Sequence, residues 1–321
     1  MNTWKLSIKP ESKEGFDAFK KCKDDHLLGL GWHHSYVSNQ PADLNEAKIL
    51  VKDRWKKWPF PLKYLLEDMK ANDHVWIHQG GDYHLCRPID DNIIFGSDID
   101  QNFASYDLGH ARKAEWVLIP DKFVSGNVQR KTIAQRAVQK MKLTNREVEF
   151  NKFLFCKLRE NKNWEPEIDE AELKVSIQHM EFQALFSLMT PDDVEDVVAA
   201  YMQNNGWMLI KSTCFRSKPR FEFSMLHRCN GVAHIQVKSG QSSDDQLSPE
   251  KYKKDASPNN LIYLFSTHSE PYPGKHFEHV NTIEQRDLFN WIIDNIWALT
   301  APLKIRLWIY LNEMKFDQSD A

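Results

Sequence analysis

The chain has 321 residues, 41% of them hydrophobic and 27% charged, with a formal net charge of -3. This length can bury one or two ordinary cores, makes two domains the expected count, and with this composition excludes a disordered or fibrous protein. No apolar run approaches the ~18 residues that cross a bilayer, and Met1 to Pro10 lacks the apolar centre of a secretion signal, so a cytoplasmic protein with no membrane partner is expected.

The five cysteines, Cys22, Cys86, Cys156, Cys214 and Cys229, are widely spaced with no C-x-x-C pair, and they read as buried, reduced thiols. Charge is unevenly spread. Residues 121 to 160 hold ten Lys/Arg against four Asp/Glu, residues 161 to 200 hold two against ten, and residues 206 to 260 return to nine against five. Such a swing marks a boundary, and two basic stretches suit an anionic partner as well as they suit a solvated surface.

In chain order, helical periodicity is expected at Asn45 to Lys57 and Leu62 to Met69. Strands are expected at Val75 to His78, Tyr83 to Pro88 and Glu115 to Ile119, with turns at Gly80-Gly81 and Asp90-Asp91. This first region predicts a small β-barrel with helices, over residues 1–128. Residues 129–187 are charged and helical, with Phe150, Phe153, Leu154 and Leu158 on one stripe, and read as a helical linker. The remaining residues, 188–321, open with Thr190 as N-cap, Pro191 in the first turn, Asp193 at the capping-box position and Gly206 as stop.

Strands at Trp207 to Thr213, Phe221 to Leu226, Val232 to Lys238 and Leu261 to Ser266 follow, then helices at Gln285 to Leu299 and Leu303 to Leu311. The whole predicts an α/β and α+β protein of two domains, with an α/β core at the C-terminal end.

The chemistry concentrates in one hairpin. Phe221 to Met225 and Val232 to Lys238 alternate apolar and polar residues around a turn containing Asn230-Gly231. A two-residue loop mixes the faces, whereas a three-residue loop of Cys229, Asn230 and Gly231 pairs Glu222 with Lys238 and Ser224 with Gln236. Glu222, Ser224, Gln236 and Lys238 then share one face. An acid and an amide there can ligate a hard cation, Mg2+ or Mn2+, through Glu222 and Gln236, while Lys238 orients an attacking water or offsets phosphate charge. A solvated sheet face with an incidental Glu-Lys pair has the same pattern.

Helix, strand with an acid, "HIQVKSG", and then "NLIYLFSTHS" resemble the Mrr-like branch of the PD-(D/E)XK nuclease superfamily, whose motif is Q-x-K. Gln236-Val237-Lys238 matches that motif. The resemblance covers residues 188 to 321 and implies a restriction-endonuclease-like core. It makes Glu222, Gln236 and Lys238 catalytic, with Glu222 and Gln236 on the metal, and assigns an assisting first-helix glutamate to Glu195. The upstream acid of that family is usually aspartate, and here it is Glu222.

"LGLGWHHSYVS", "MKANDHVWIHQGGDYHLCRPID" and "ARKAEWVLIP" resemble the PUA-like and EVE-type barrels that receive a flipped, often modified, base. Such a base needs a flat apolar clamp, for which Trp32, Trp76, Tyr83 and Trp116 are the candidates; barrel core is their other reading. The histidines at 33, 34, 74, 78, 84 and 110 lack familiar zinc spacing and receive no metal role.

Together the resemblances imply an Mg2+-dependent, modification-dependent restriction endonuclease acting on double-stranded DNA as a homodimer, in defence against foreign DNA. The rival expectations are a nuclease-fold DNA-binding protein without activity and an RNA-binding or RNA-processing factor.

Overall fold

The computed structural model describes residues 1–8, 12–132, 136–214 and 220–314. Within the last expected domain, 215–219 and 315–321 therefore lie outside the described residues, including the basic residues Arg216 and Lys218. The chain forms two units: Met1–Asp121 with Lys131–Glu165, and Lys122–Arg130 with Pro166–Ala321.

The first unit is built on a curled, seven-stranded half-barrel sheet: β1 (Thr3–Leu6), β2 (Leu27–Leu30), β3 (His74–Gln79), β4 (Asp82–Pro88), β5 (Ile94–Phe95), β6 (His110–Ile119) and β7 (Val138–Lys140). The order is β2-β6-β4-β3-β1-β7, with β5 beside β6. Its helices are α1 (Ala18–Asp24), α2 (Leu44–Trp55), α3 (Phe60–Lys63) and α4 (Phe103–Tyr106); the chain passes from one unit to the other within α5 (Gly126–Thr132), and α6 (Asn145–Glu160) completes the first.

Gly80 and Gly81, at φ 67° and 90°, make the two-residue turn that joins β3 to β4. Long β6 pairs with β4 through Ala114–Ile119 and with β2 through His110–Lys113, so one strand carries the sheet around its bend. The short strands β1, β2, β5 and β7 were not expected from the sequence; at two to four residues they are too short to display a period.

Residues 129–187, expected as a linker, divide between the units. Thr144 and Glu147 form a capping box that starts α6, and α6 packs on β4 and β6. Its buried stripe of Phe150, Phe153, Leu154 and Leu158 is the reason: an apolar face of that width is covered by a sheet rather than held in solvent.

The second unit holds β8 (Met208–Leu209), β9 (Phe223–His227), β10 (Gly231–Lys238), β11 (Asn260–Ser266) and β12 (Val280–Thr282) in the order β12-β11-β10-β9-β8. Strands β10, β11 and β12 are parallel, and β9 and β8 are added antiparallel. The helices are α7 (Glu170–Gln178), α8 (Phe182–Leu188), α9 (Pro191–Asn204), α10 (Gln285–Asp294) and α11 (Ala301–Leu311).

Helix α9 buries Val194, Val197, Val198 and Met202 and packs along β10. The strand expected over Trp207–Thr213 shrinks to β8, because Lys211–Thr213 closes as a 3-10 turn with the Thr213 hydroxyl donating to Ile210 O at 2.7 Å. The helix expected from Gln285 to Leu299 ends at Asp294 and continues as a separate 3-10 turn, Ile296–Ala298. Phe289, Ile292, Ile296 and Leu299 are buried in this unit, whereas Trp297 is 72% exposed.

Of the cysteines, Cys22 and Cys86 are buried, Cys156 and Cys214 are half-buried and Cys229 is exposed in the β9–β10 turn; all are free thiols. Among the described residues, no helix is long and apolar enough to cross a membrane.

Candidate functional site

The β9–β10 turn decides which side chains meet. The loop has three residues, but they are Arg228, Cys229 and Asn230, one position earlier than expected, with His227 paired to Gly231. The Nδ1 of His227 accepts the N–H groups of Cys229 and Asn230 at 3.1 and 3.2 Å, which closes the loop on His227. Gly231, at φ +75°, becomes the first strand residue, and a Cβ there would stand 2.7 Å from Asn259 O.

The register therefore places Phe223 opposite Ile235 and Ser224 opposite His234, correcting the expected pairs Glu222–Lys238 and Ser224–Gln236. The correction is a two-residue step, which keeps every side chain on its expected face.

Glu222 N donates to Ile235 O at 2.9 Å, so the glutamate lies beside Gln236, whose Nε2 donates to Glu222 Oε1 at 2.8 Å. Lys238, diagonal to Glu222, brings its Nζ to 3.8 Å from the same oxygen. Glu195, one turn into α9, joins them from the helix. Its half-buried carboxyl is raised to about 7, first by burial and then by the negative charges of Glu222, Asp192 and Asp196, with Lys238 pulling the other way. Glu222, Gln236 and Lys238 are thus in contact, and Glu195 feels the charges of Glu222 and Lys238 from the helix.

Helix α9 is held rigidly enough to present Glu195. Asp193 accepts from Thr190 N and Oγ1 at 2.7 Å each, from Thr300 Oγ1 at 3.1 Å, and from the buried guanidinium of Arg306. Arg306 in turn reaches Lys122 O at 3.2 Å.

Around the cluster stand residues that sequence reasoning passed over. His234 shares the face of Gln236, accepts or donates at Nδ1 with Ser224 Oγ at 2.8 Å, and stacks on Phe221 with centroids 5.0 Å apart. Tyr252 lies near Glu222, and Arg220 sits over the Tyr252 ring at 5.3 Å while pairing with Asp255 at 2.9 Å. The period-2 alternation was the available signal for His234, two residues before Gln236; none existed for Tyr252.

Among the described residues, no three His, Cys, Asp or Glu side chains form a ready-made metal cage. The donors that could serve a hard cation are the Glu222 carboxylate and the Gln236 amide oxygen. Turning that amide over exchanges its N–H for oxygen, and two oxygens facing each other call for a cation between them. An oxygen-only donor set of this kind suits Mg2+ or Mn2+.

The four aromatic candidates of the first unit do not share a surface, which corrects the expectation of one clamp. Trp76 pairs with Leu85 and Tyr83 with His78, so Trp76 and Tyr83 lie on one face of the sheet, ring centroids 6.4 Å apart. Trp116 pairs with Cys86 and, like half-buried Trp32, packs on the interior core that Val75, Ile77 and Cys86 build. Side chains alternate along a strand, and Trp76 stands between Val75 and Ile77.

On the interior face a different constellation appears. Buried His84, Phe19 and Trp116 form a triangle of edge-to-face rings, with His84 centred 5.7 Å from Phe19 and 5.6 Å from Trp116, and those two 6.0 Å apart and tilted by 63°. Neither ring nitrogen of His84 nor the indole N–H of Trp116 has a hydrogen-bond partner among the described residues. Burial lowers His84 to about 4, so the ring is neutral and offers one donor and one acceptor. Unmatched buried polar groups are costly in a core, and on the other face the Trp76 indole N–H is unmatched as well.

No family model matches the chain, and no curated protein matches it. A solved structure described as the MspJI restriction endonuclease in complex with a 27-mer oligonucleotide aligns at a TM-score of 0.19 and 12% identity, over 96% of this chain and 76% of that one. A score at that level does not relate the two folds.

Proposed function

We propose that the protein is a modification-dependent endodeoxyribonuclease in which residues 1–128 read duplex DNA and residues 188–321 hydrolyse its phosphodiester. The observation that carries this reading is the convergence of Glu222, Gln236, Lys238 and Glu195 in the second unit.

In this reading Glu222 and Gln236 hold Mg2+ or Mn2+, which supplies Lewis acidity toward the phosphate when bound. Lys238 places its ammonium where negative charge grows on the phosphate, and Glu195, protonated in part near neutrality, gives or takes a proton at the attacking water or leaving oxygen. The base reader is the interior face of the half-barrel. There the edge-to-face rings of Phe19 and Trp116 would part to admit a flipped, modified base, and the donor and acceptor of His84 would read its edge.

Incubation of the full chain with Mg2+ and duplexes carrying defined adenine, cytosine or backbone modifications tests the proposal. Wild-type protein cuts one class, and Lys238→Ala binds that class without cutting. Equal cutting by Lys238→Ala overturns the active-site assignment. Glu222, standing where the resembled family usually has aspartate, motivates a second reading, a DNA-binding protein without hydrolytic activity. Binding without metal-dependent cutting by the wild type selects it.

A further inference from the structure

The first unit carries a second chemical feature, remote in sequence from its interior aromatics. Residues 52–57 are exposed without interruption at the end of α2. Four of those six are cations, Lys52, Arg54, Lys56 and Lys57, against the single acid Asp53. Lys52, Arg54 and Lys57 enter no ion pair among the described residues, and the Lys56 ammonium donates to the backbone oxygen of Asp53 at 2.8 Å. Between and beside these cations two rings stand in solvent: Trp55 at 45% exposure and Phe60 at 70%.

The neighbouring residues show that this exposure is selective. Trp58 is tied down, its indole N–H donating to Glu67 at 2.6 Å and its ring edge-on to buried His110 at 6.3 Å, and Pro59 is buried. On the inner side of α2, Ala47 and Val51 are fully buried. The corner is therefore anchored to the core on one side and leaves its cations and two of its rings outside. Lys56 takes the left-handed conformation, φ 60°, at a helix end where glycine is the usual residue.

We propose that this α2–α3 corner is a grip for the backbone of duplex DNA. Lys52, Arg54 and Lys57 would neutralise consecutive phosphates, with Trp55 and Phe60 laid on sugars or wedged at a base step. Closely spaced unpaired cations fit the regular negative charge of a nucleic acid, and exposed rings among them fit the apolar faces between the phosphates. An interfacial membrane helix would instead turn a broad apolar face outward, whereas α2 buries Ala47 and Val51 and exposes only Ile49 and Trp55 of its apolar residues. The choice of duplex DNA rests on the functional reading above.

The test measures affinity of the full chain for a labelled duplex by fluorescence anisotropy as salt is raised. Each phosphate contact adds about -0.9 to the slope of log affinity against log salt, so Lys52→Gln/Arg54→Gln/Lys57→Gln should flatten the slope by about 2 to 3. The charge-preserving Lys52→Arg/Arg54→Lys/Lys57→Arg should keep it. Trp55→Ala/Phe60→Ala should weaken binding about tenfold at an unchanged slope, since stacking releases no counterions. Circular dichroism melts verify that these exposed changes leave the fold intact.

A wild-type slope in the glutamine triple variant overturns the grip while leaving the DNA reading standing. Wild-type protein that binds no duplex overturns both. Tighter binding of RNA, or of phosphatidylserine vesicles, through the same side chains also overturns the assignment to duplex DNA.

Discussion

Acidification should destabilise the first unit through its buried histidines, and His110 allows the size of the effect to be worked out. Its ring is fully buried, with Nδ1 3.1 Å from Gly31 O and Nε2 against the Tyr36 hydroxyl. A carbonyl can only accept, so Nδ1 carries the proton and Nε2 accepts from Tyr36. A second proton has no acceptor unless that hydroxyl turns round. Burial is the dominant effect and lowers His110 from 6.5 to about 4.

Because the folded value lies below the unfolded one, the unfolded chain binds the proton first. Stability is full above about pH 6.5 and is lost as the pH falls toward 4. At ~1.36 kcal/mol for each pH unit that separates the folded and unfolded values, linkage costs about 2 kcal/mol near pH 5 and about 3.4 kcal/mol once both states are protonated. Hydrogen exchange at the amides of β2 and β6, corrected for intrinsic rates, reads the loss directly. His74 and His84, each lowered to about 4 chiefly by burial, add to the wild-type slope. His110→Gln, which cannot titrate, should therefore lose about 2 kcal/mol less than wild type between about pH 7.5 and pH 5. The same pH dependence in both proteins would refute the assignment of His110 as a buried neutral ring.

Three other outcomes follow from the second unit. If two chains cut the two strands of a duplex, excess Lys238→Ala protein mixed with wild type should convert double-strand breaks into nicks; breaks persisting at the rate set by wild type alone identify a monomer cutting in sequence. Arg306→Met strips the buried guanidinium from Asp193 and should cost about 3 to 5 kcal/mol in chemical denaturation, whereas a loss below about 1 kcal/mol would show that Asp193 is satisfied by Thr190 and Thr300 alone. At Gly126 an added Cβ would fall 1.6 Å from Met189 O and 2.8 Å from Thr190 N, so Gly126→Ala should displace the start of α9 and cost at least about 1 to 3 kcal/mol; an unchanged melting temperature contradicts that packing.

The sequence made α9 readable because its start and stop are local: the Thr190–Asp193 capping box forms as its spacing predicts, and Gly206 ends the turn at φ +86°. The polar face of the β9–β10 hairpin was equally readable, since alternation alone fixes which residues share a side. The register was not, because two placements of one loop differ only in whether Gly231 ends the turn or begins the strand, and the His227 side chain decides between them. The aromatic clamp failed for a related reason. Val75, Trp76 and Ile77 are all apolar and all buried, so β3 shows no alternation from which to tell its two faces apart.

The charge balance of the candidate site bears on whether it is merely structural. A buried pair kept for stability balances its charges, as Asp193 and Arg306 do. Among the described residues the balance around Glu222 is different: Glu195 and Glu222 share the Lys238 ammonium, with Asp192 and Asp196 adding negative field from the same helix. That negative field, after burial, raises the Glu195 carboxyl to about 7, a shift of the kind that clusters at functional sites. The Gln236 Nε2 that donates to Glu222 also donates to Val237 O at 3.1 Å, so a cation held by Glu222 and the Gln236 oxygen would have to draw that nitrogen away from both acceptors. On the reading proposed above, a bound cation or phosphate would complete this balance beside the capped start of α9.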